Sequence, residues 1–516
     1  MNPRPINDPQ SGRPGCSVGP LARSRGSLPP SGSVLIVVMW IAFGVVSLAL
    51  YFAHTMEMTL RAADTQVASM EADQALEAGM LYYSNVLAQV MGLNSQYNSQ
   101  AYFAPYILPS TNYYKTCGVQ MGSVAGVPVG PARFWVIGRD TNANDYALRQ
   151  AEPVFGLVDE ASKINLNNLQ NPKLYGISPD STTQTNLLQN LPNMTYPLLS
   201  CIYDWATTNT VACMNGAKST IYESQNPPYE CKFTNFDTIG ELRMVYGMRL
   251  DDLYGEDANL NGALDPNEND AMALPPNDDN NGILEPGLLE YFTVYTQEPA
   301  VLGTTSETPT NRQVVTDLTG LTNFIATNWP TVYSDIAPGL IGMPAPKSIL
   351  DFAMRSGITD QDLATIEPFL MNSTNSVGLV NVNTATAATL ACLPGIGNDG
   401  VLGYGSVSAQ NILQYRQSNP SQMDSCYWLI QALTVLGTDS VTNLVTQVGP
   451  YITSHSWQYS ADIAAVGHNG RGYRRVKFIF DCSSGVPLIV YRQDLTYLGW
   501  ALGKRIHDQL LAGTLK

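Results

Sequence analysis

The chain has 516 residues, of which 44% are hydrophobic and 14% are charged, and its formal net charge is −16. This length and composition support about two to four domains with substantial cores. The acidic balance argues against nucleic acid and anionic lipid surfaces as partners, because such polyanions attract basic proteins.

An uncharged apolar run, SVLIVVMWIAFGVVSLALYFA, occupies residues 33–53. As a helix rising about 1.5 Å per residue it would be about 31 Å long, enough to cross a bilayer. Four arginines and one acid precede the run, and most of the acids follow it. The positive-inside bias therefore predicts a cytoplasmic N-terminus and an exported bulk. The alternative is a cleaved secretory signal, whose apolar region normally has about 7 to 15 residues.

Helical periodicity continues from Met56 to about Gln89 without proline. The apolar residues at three- and four-residue spacing are Leu60, Ala63, Val67 and Met70. The pattern predicts one long helix that continues the apolar run and needs an apolar partner. Strands are predicted near the start and the end of the remaining chain, at 133–138, 154–159, 457–466, 473–481 and 487–492.

An acidic turn beginning at Asp159 leads into the segment Asn165-Leu166-Asn167. Asn side chains bond nearby backbone groups, so a turn with helix caps is the physical role we expect. Helical periodicity resumes over about 185–250, where Asp204-Trp205 ends one helix and the sequence YESQNPPY follows at 222–229.

Seven cysteines follow the apolar run, namely Cys117, Cys201, Cys213, Cys231, Cys392, Cys426 and Cys482, while Cys16 precedes it. An oxidising compartment would pair some of them and leave at least one free. One disulfide is expected among Cys201, Cys213 and Cys231, although the sequence does not give its connectivity.

Residues 251–290 hold eleven acids and no Lys, Arg or His. Within them, residues 257–268 fit the twelve-residue calcium loop, with Gly262 at its sharp turn. The candidate oxygen ligands are Asp257, Asn259, Asn261, Ala263 through its carbonyl, Asp265 and Glu268. Pro266 and Pro286 disfavour the exiting helix of a true EF-hand, so calcium is expected as a structural staple. The alternative is a solvated acidic turn.

A second loop, 277–288, repeats the start of the pattern but has Leu288 where the final Glu should be. Its candidate ligands are Asn277, Asp279, Asn281 and Glu285. Weaker calcium binding and a solvated acidic turn are the two interpretations.

Residues 379–420 contain Leu-Val-Asn-Val-Asn-Thr-Ala and then Leu393-Pro394-Gly395-Ile396-Gly397. The module resembles a helix-hairpin-helix, which many DNA-binding proteins use to offer backbone amides to phosphate. This stretch contains one acid and one base, Arg416, so no basic footprint surrounds the hairpin and DNA binding is not expected.

Two further stretches and the histidines give weaker signals. Tyr291 to Thr296 predicts a strand, and about 313–372 predicts helices without a motif. The four histidines have no ligand spacing, and neither a Gly-x-Ser-x-Gly motif nor a phosphate loop is present, so no enzymatic activity is expected. A catalytic role for Asp204 is the alternative to an ordinary helix-end acid.

Several of these features together resemble the K-type minor pseudopilins of type II secretion systems, the general secretion pathway protein K family. Ser31-Gly32-Ser33 before the apolar run resembles a prepilin leader, cut after Gly32 so that the mature chain begins at Ser33. The glutamate usual five residues after the cut is Val37 here, and K-type members characteristically lack that acid. The acidic turn with Asn-Leu-Asn, the Asp-Trp helix end, the Pro-Pro-Tyr passage and the hairpin unit complete the resemblance, although the usual Arg-x-Asp after Asp-Trp is absent.

The resemblance implies an α+β fold, in which a long N-terminal helix packs on an antiparallel pilin-like sheet interrupted by a large, mostly helical domain with the helix-hairpin-helix or SAM-like module. The expected divisions are a leader at 1–32, a transmembrane segment and stem at 33–92, the first part of the pilin-like domain at 93–170, an insertion at 171–446, and C-terminal strands at 447–516.

The resemblance also implies a function. The protein would assemble with I-type and J-type minor pseudopilins and the major pseudopilin, initiating pseudopilus growth at the inner membrane and supporting protein export by the secretion machinery. It would be a single-pass protein with most of the chain in the periplasm. The alternatives are a minor pilin of a related type IV pilus or DNA-uptake machine, and a membrane-anchored helix-hairpin-helix binding protein.

Overall fold

The computed structural model describes most of the chain after the N-terminal tail. The described residues are 32–90, 126–139, 152–171, 174–175, 177, 186–271, 273–302, 310–374, 377–397, 406–419, 422–435, 441–484 and 486–515. The predicted leader before Gly32, Cys16 and Cys117 lie outside them.

The described chain contains helices throughout and one large sheet. The α-helices are α1 (Gly32–Val90), α2 (Tyr196–Ala206), α3 (Ser219–Tyr222), α4 (Leu250–Tyr254), α5 (Leu318–Asn328), α6 (Pro330–Leu340), α7 (Ile349–Ser356), α8 (Asp360–Ile366), α9 (Ala387–Ala391), α10 (Val407–Ser418), α11 (Trp428–Val435), α12 (Val441–Val448) and α13 (Gly503–Leu511). The strands are β1 (Val127–Val129), β2 (Ala132–Ile137), β3 (Val158–Asp159), β4 (Ile164–Asn165), β5 (Phe292–Thr293), β6 (Val301–Leu302), β7 (Thr310–Asn311), β8 (Gln313–Val314), β9 (Leu370–Met371), β10 (Val380–Asn381), β11 (Ile452–Thr453), β12 (Gln458–Val466), β13 (Arg474–Asp481) and β14 (Leu488–Asp494). The predicted α+β class is confirmed.

The chain divides into two compact units, residues 1–64 and 65–516. In the described part of the first unit, α1 exposes its apolar side chains, with Leu35 at 66% and Trp40 at 77% exposure. Within the described chain, α1 is the one helix long and apolar enough to cross a membrane. An exposed apolar surface of this size fits a lipid environment, so the helix fits a single-pass anchor.

In the second unit, α1 packs on the sheet through small side chains. Ala68, Ala72 and Ala75 are fully buried, and the carbonyl of Ala68 lies so close to Gly472 that a Cβ there would approach it to 2.3 Å. The long helix is confirmed, but the predicted apolar face is not the one that packs. Its residues Leu60, Ala63, Val67 and Met70 are exposed, because close helix–sheet approach selects alanine over larger side chains.

The main sheet has the order β1-β2-β12-β13-β14, and all these neighbours are antiparallel. Strand β3 also pairs with β12. The predicted strands at 133–138, 457–466, 473–481 and 487–492 are confirmed. In 154–159 only Val158–Asp159 is a strand, with Phe155 bridging to Ile137.

The two faces of this sheet differ in character. Alternate residues of β12, such as Ala461 and Ile463, join the core with α1, together with Phe478 of β13. The intervening residues face the other way, and Asp462 lies in a cross-strand row with Ile137, Lys477 and Gln493. This second face is therefore partly polar and positions the loops described below.

The chain leaves the sheet after β3 and returns at β12, and helices α2 to α12 lie between these two strands together with long irregular segments. The helices predicted within 313–372 are confirmed as α5 to α8. They share one apolar core with α9 to α12, and a second core forms around α2. The strand predicted at 291–296 is limited to Phe292–Thr293. The domain boundaries at 171 and 446 stay predictions.

The disulfide expected among the three cysteines near α2 is not formed. Cys201, Cys213 and Cys231 are buried free thiols in the second core. The Cys201 and Cys231 thiols instead lie near backbone carbonyls, those of Asn215 and Asp204 respectively, each at 3.6 Å.

Candidate calcium loops, buried polar units and the family comparison

The first candidate loop is folded by its own polar side chains. The Asp257 carboxylate accepts hydrogen bonds from the amides of Asn261 at 2.9 Å and Gly262 at 2.8 Å. The Glu268 carboxylate reaches back to accept from the amides of Ala258 and Asp265, both at 3.0 Å. The first and last predicted ligands thus close the loop from both ends.

The middle of this loop carries the backbone conformations that a tight cation loop requires. Gly262 has φ +70° and Leu260 has φ +55°, both in the left-handed region. A Cβ at Gly262 would also lie 3.0 Å from the Arg139 side chain. The backbone conformation therefore favours glycine there, and a larger residue would also have to displace the Arg139 side chain slightly.

Two arginines attach this loop to the second face of the sheet. Arg139, just after β2, and Arg475 in β13 both donate to the carbonyl of Leu260, at 2.9 and 2.8 Å. Arg475 also donates to the carbonyl of Asn259 and holds Asp462 through two bonds of 2.9 and 2.6 Å. Neither arginine was predicted from the sequence to contact this loop, because neither lies in the acidic stretch.

Burial places the loop carboxylates in an unfavourable electrostatic setting. The pKa of Glu268 is raised to about 8 by burial and then by the Asp257 carboxylate. Burial also raises the pKa of Asp257 and of Asp265. A cation would neutralise this like charge.

The donor set fits calcium, which prefers carboxylate and amide oxygens. Asp257, Asn259, Asn261 and Glu268 are all buried within one loop. The Asp265 carboxylate is occupied by the side-chain amides of Asn259 and Asn261, at 2.7 and 3.1 Å. Across the described residues, no group of three or more His, Cys, Asp or Glu side chains is arranged to hold a metal. The amide and backbone oxygens would therefore have to complete the coordination shell.

The element leaving the first loop is short. Helix α4 precedes the loop, but Pro266–Glu268 forms only a 3-10 turn after it. The expectation of no EF-hand exit helix is confirmed. Such a loop has no long second helix to reorient.

The second candidate loop is organised around a residue that was not predicted. Asp278 accepts hydrogen bonds from the amides of Asp270, Ala271 and Asn280. The predicted ligands Asn277, Asp279, Asn281 and Glu285 are exposed. Leu288, at the last position of the pattern, is fully buried in apolar contacts.

Glu256 is a further carboxylate at these loops that was not among the predicted ligands. It is buried, and its carboxylate accepts from the Glu285 amide at 3.1 Å. Its pKa is raised to about 7 by burial first, with the Glu285 and Asp279 carboxylates adding to the effect. The position of Glu256 immediately before the first loop was the one sequence feature that pointed to a role at these loops.

The acidic turn after β3 acts as the predicted cap. Asp159 accepts from the amide of Ala161 at 2.8 Å, and Asn165 accepts from the amide of Asn167 at 2.9 Å. The second Asp159 oxygen accepts from three distant side chains, those of Asn381, Thr384 and Ser456. The turn therefore joins the hairpin module to the segment before β12.

The Asn-Val-Asn unit is a buried polar connector. Asn383 donates to the carbonyls of Met423 and Ser454, both at 3.1 Å, and accepts from the Trp428 indole at 2.8 Å. Arg416 is fully buried and donates to the carbonyls of Val382 and Ala385. The side chains of Asn383 and Arg416 are thus both used for hydrogen bonds inside the fold.

The predicted hairpin lies between α9 and α10. Leu393 and Ile396 are buried, and the amides of Ile396 and Gly397 both donate to the carbonyl of Leu393. Pro394 lies between these buried positions, and Gly395 has φ +85°. Residues 398–405, which follow the hairpin, lie outside the described residues.

Asp204 is a buried helix-end acid. It accepts from the amide of Cys213 at 3.0 Å, and Lys218 donates to its backbone carbonyl at 2.5 Å. Burial raises the pKa of the carboxyl. These contacts fit the ordinary structural interpretation.

Residues 162–253, which contain the Asn-Leu-Asn segment and the Asp-Trp helix, match the family model described as Type II secretion system (T2SS), protein K. This segment is similar to the protein K family. The resemblance stated from the sequence is thereby confirmed over the protein K segment, and this family is a structural component of a secretion system rather than a known enzyme.

Other comparisons add little to the protein K assignment. A comparison with curated proteins finds no match. Among solved structures, a chain of the GspK-GspI-GspJ complex from the enterotoxigenic Escherichia coli Type 2 Secretion System aligns with 82% of this chain and 97% of its own length. The sequence identity is 10% and the TM-score is 0.33.

Proposed function

We propose that the protein is a K-type minor pseudopilin of a type II secretion system. The observation that carries the proposal is the protein K match over residues 162–253. The segment is not a surface feature, because its residues Leu166, Leu199 and Trp205 lie in the second apolar core. The family likeness therefore concerns residues that determine the local fold.

The N-terminal helix supports a role as a membrane-inserted filament stem. It begins at Gly32, the residue after which a prepilin leader would be cut, and runs without interruption to Val90. The apolar half exposes its side chains, which suits lipid before assembly and neighbouring stems after it. In this proposal the N-terminal tail is cytoplasmic and the rest of the chain is periplasmic.

The proposed position is the tip of the pseudopilus, where the protein would initiate assembly. A large helical insertion in a pilin-like unit would obstruct a subunit stacked above it, so a terminal place suits it sterically. The proposed partners are the I-type and J-type minor pseudopilins, as in the complex named above, together with the major pseudopilin. Through them the protein would support export across the outer membrane.

N-terminal sequencing of the mature protein tests the prepilin route. Peptidase cleavage after Gly32 would give a chain that begins at Ser33 and retains the apolar helix. A mature chain that begins beyond Ala53 would indicate a cleaved secretory signal and contradict the proposal. Secretin and general secretion genes beside its own would separate this role from a type IV pilus role.

The hairpin is proposed to be a helix-hairpin-helix-like packing module rather than a DNA-binding site. Arg416, the one base in 379–420, is buried against backbone carbonyls and cannot reach a phosphate. We expect no tight binding of a fluorescently labelled duplex at about 150 mM salt. Tight binding would favour the DNA-uptake alternative.

Calcium is proposed as a structural staple in the first loop. Asp257, Asn259, Asn261, the Ala263 carbonyl, Asp265 and Glu268 would hold it. Bound calcium would offset the repulsion between buried carboxylates and fix the loop against Arg139 and Arg475. A second ion in 277–288 would use Asn277, Asp279, Asn281 and Glu285, with the Glu256 carboxylate beside them.

Calorimetry with calcium on the full chain in detergent tests the staple. Asp257→Ala and Glu268→Ala should each weaken the tighter site by at least about tenfold, since each removes a charged ligand. Asp317→Ala, in an exposed helix cap elsewhere, is the matched control and should leave the affinity unchanged. Equal affinity in all four proteins would exclude the first loop as the site.

A further inference from the structure

A cleft lies between the second face of the sheet and the segment 239–290. Its volume is about 110 Å³. The sheet contributes the cross-strand row Ile137, Asp462, Lys477 and Gln493. The predicted calcium ligands do not line this cleft, although Leu260 of the first loop does.

The carboxylates in and beside the cleft are already matched by cations. Asp462 is held by Arg475 through two hydrogen bonds. Glu290 accepts from Arg139 at 2.8 Å. Glu160, which is 1% exposed, lies beside two lysines, Lys163 at 3.4 Å and Lys477 at 3.9 Å. One carboxylate thus serves one buried and one partly exposed ammonium group.

Lys163 is the more deeply buried of the two ammonium groups and has few hydrogen-bond partners. Its side chain is 7% exposed, and the 3.4 Å contact with Glu160 is its one hydrogen bond among the residues described. An ammonium carries three donors, so two are left without a protein acceptor. Burial and then the Lys163 charge lower the pKa of Lys477 to about 8. The pair therefore has excess positive charge in a partly dehydrated place.

The rest of the lining divides into an apolar wall and a cationic mouth. Ile137, Val158, Ile239, Leu289 and Leu495 supply apolar surface. Arg243 is exposed, lies with its guanidinium over the Tyr254 ring at 5.5 Å and also bonds Tyr497. It has no carboxylate partner among the described residues. A ligand would thus meet cations and apolar side chains together.

We propose that this cleft binds a carboxylate carried on a short apolar group. The carboxylate would accept from Lys163 and Lys477 and balance their charge, while the apolar group would contact the Ile239 and Leu289 side. The volume accommodates a handful of water-sized groups, which matches an acid of about four carbons. The inference does not depend on the pseudopilin role.

Titration of sodium butyrate into the full chain in detergent, at constant ionic strength, tests the proposal. Butyrate should bind saturably, and butyramide, which lacks the charge, should bind at least about tenfold more weakly. Lys163→Met and Arg243→Gln should each weaken butyrate binding several-fold. Lys347→Met removes an exposed lysine outside the cleft and should leave the affinity for butyrate unchanged.

Arg243→Gln keeps the test valid if Lys163→Met fails to fold, because Arg243 lies exposed at the mouth. Equal binding of butyrate and butyramide would overturn the proposal. So would butyrate affinity that is unchanged in Arg243→Gln and in a folded Lys163→Met. Saturable binding of inorganic phosphate without butyrate binding would contradict the carboxylate assignment.

Discussion

Arg475 is a single side chain that connects the sheet with the first acidic loop. It is fully buried and bonds both Asp462 and the carbonyls of Asn259 and Leu260. Removing a buried charge partner leaves the other charge uncompensated. Arg475→Met should therefore lower the free energy of unfolding by about 4 kcal/mol, measured by urea denaturation.

The neighbouring residue offers a matched control. Arg474 contacts Asp73 at 3.0 Å, and both side chains are more than one-third exposed. An exposed ion pair contributes at most about 1 kcal/mol, so Arg474→Met should change stability little. A similar loss in both variants would contradict the special role given to Arg475.

The protonation of Glu160 should make the free energy of unfolding depend on pH in the acid range. Burial raises the pKa of this carboxyl, but Lys163, Lys477 and Thr293 outweigh the effect and lower the pKa to about 2. Because the folded pKa lies below the unfolded one, the stabilisation is present above about pH 4.5 and is lost towards pH 2. Glu160→Gln should cost about 3 kcal/mol near neutral pH and about 1 kcal/mol near pH 3.

Thermal unfolding of both proteins across this pH range measures the difference. A Glu160→Gln effect that stays constant between neutral pH and about pH 3 would contradict the lowered pKa. The control is the same series at high salt, which should change the result little because the group is buried.

At the scale of elements, the turn between α9 and α10 depends on close backbone approach. A Cβ at Gly397 would lie 1.8 Å from the carbonyl oxygen of Ala391, and backbone atoms cannot move aside easily. Gly397→Ala should destabilise the helical region by more than about 2 kcal/mol.

Hydrogen exchange of α9 and α10 would localise this effect. Gly240→Ala is the control, since the nearest atom to its Cβ would be 3.7 Å away. It should change stability by less than about 0.5 kcal/mol. Unchanged protection of α9 and α10 in Gly397→Ala would contradict the role of close packing.

Elements were predictable from the sequence where periodicity and turn chemistry agreed. The long helix, four strands of the sheet and the helices in 313–372 follow from local patterns, and so do the caps at Asp159 and Asn165. The packing face of α1 did not follow, because Ala68, Ala72 and Ala75 carry little hydrophobic signal. The face of α1 that packs is set by the small space between the helix and the sheet, which admits alanine but not larger side chains.

At the scale of the whole molecule, local sequence patterns do not predict contacts between residues far apart in the chain. Arg139 and Arg475 meet Leu260 from positions more than a hundred residues away. The acidic composition of 251–290 predicted the loop but not the arginines that hold it. The cleft with Lys163 and Lys477 likewise forms only when β13 and the turn after β3 come together.

Co-purification from membranes tests the central claim, that the chain is a K-type minor pseudopilin, most directly. The tagged full chain would be expressed at its natural level together with the I-type and J-type minor pseudopilins of its own cell. We predict a complex that contains all three proteins and survives gel filtration in detergent. Recovery of the chain as a solitary monomer, with both partners present and folded, would contradict the account.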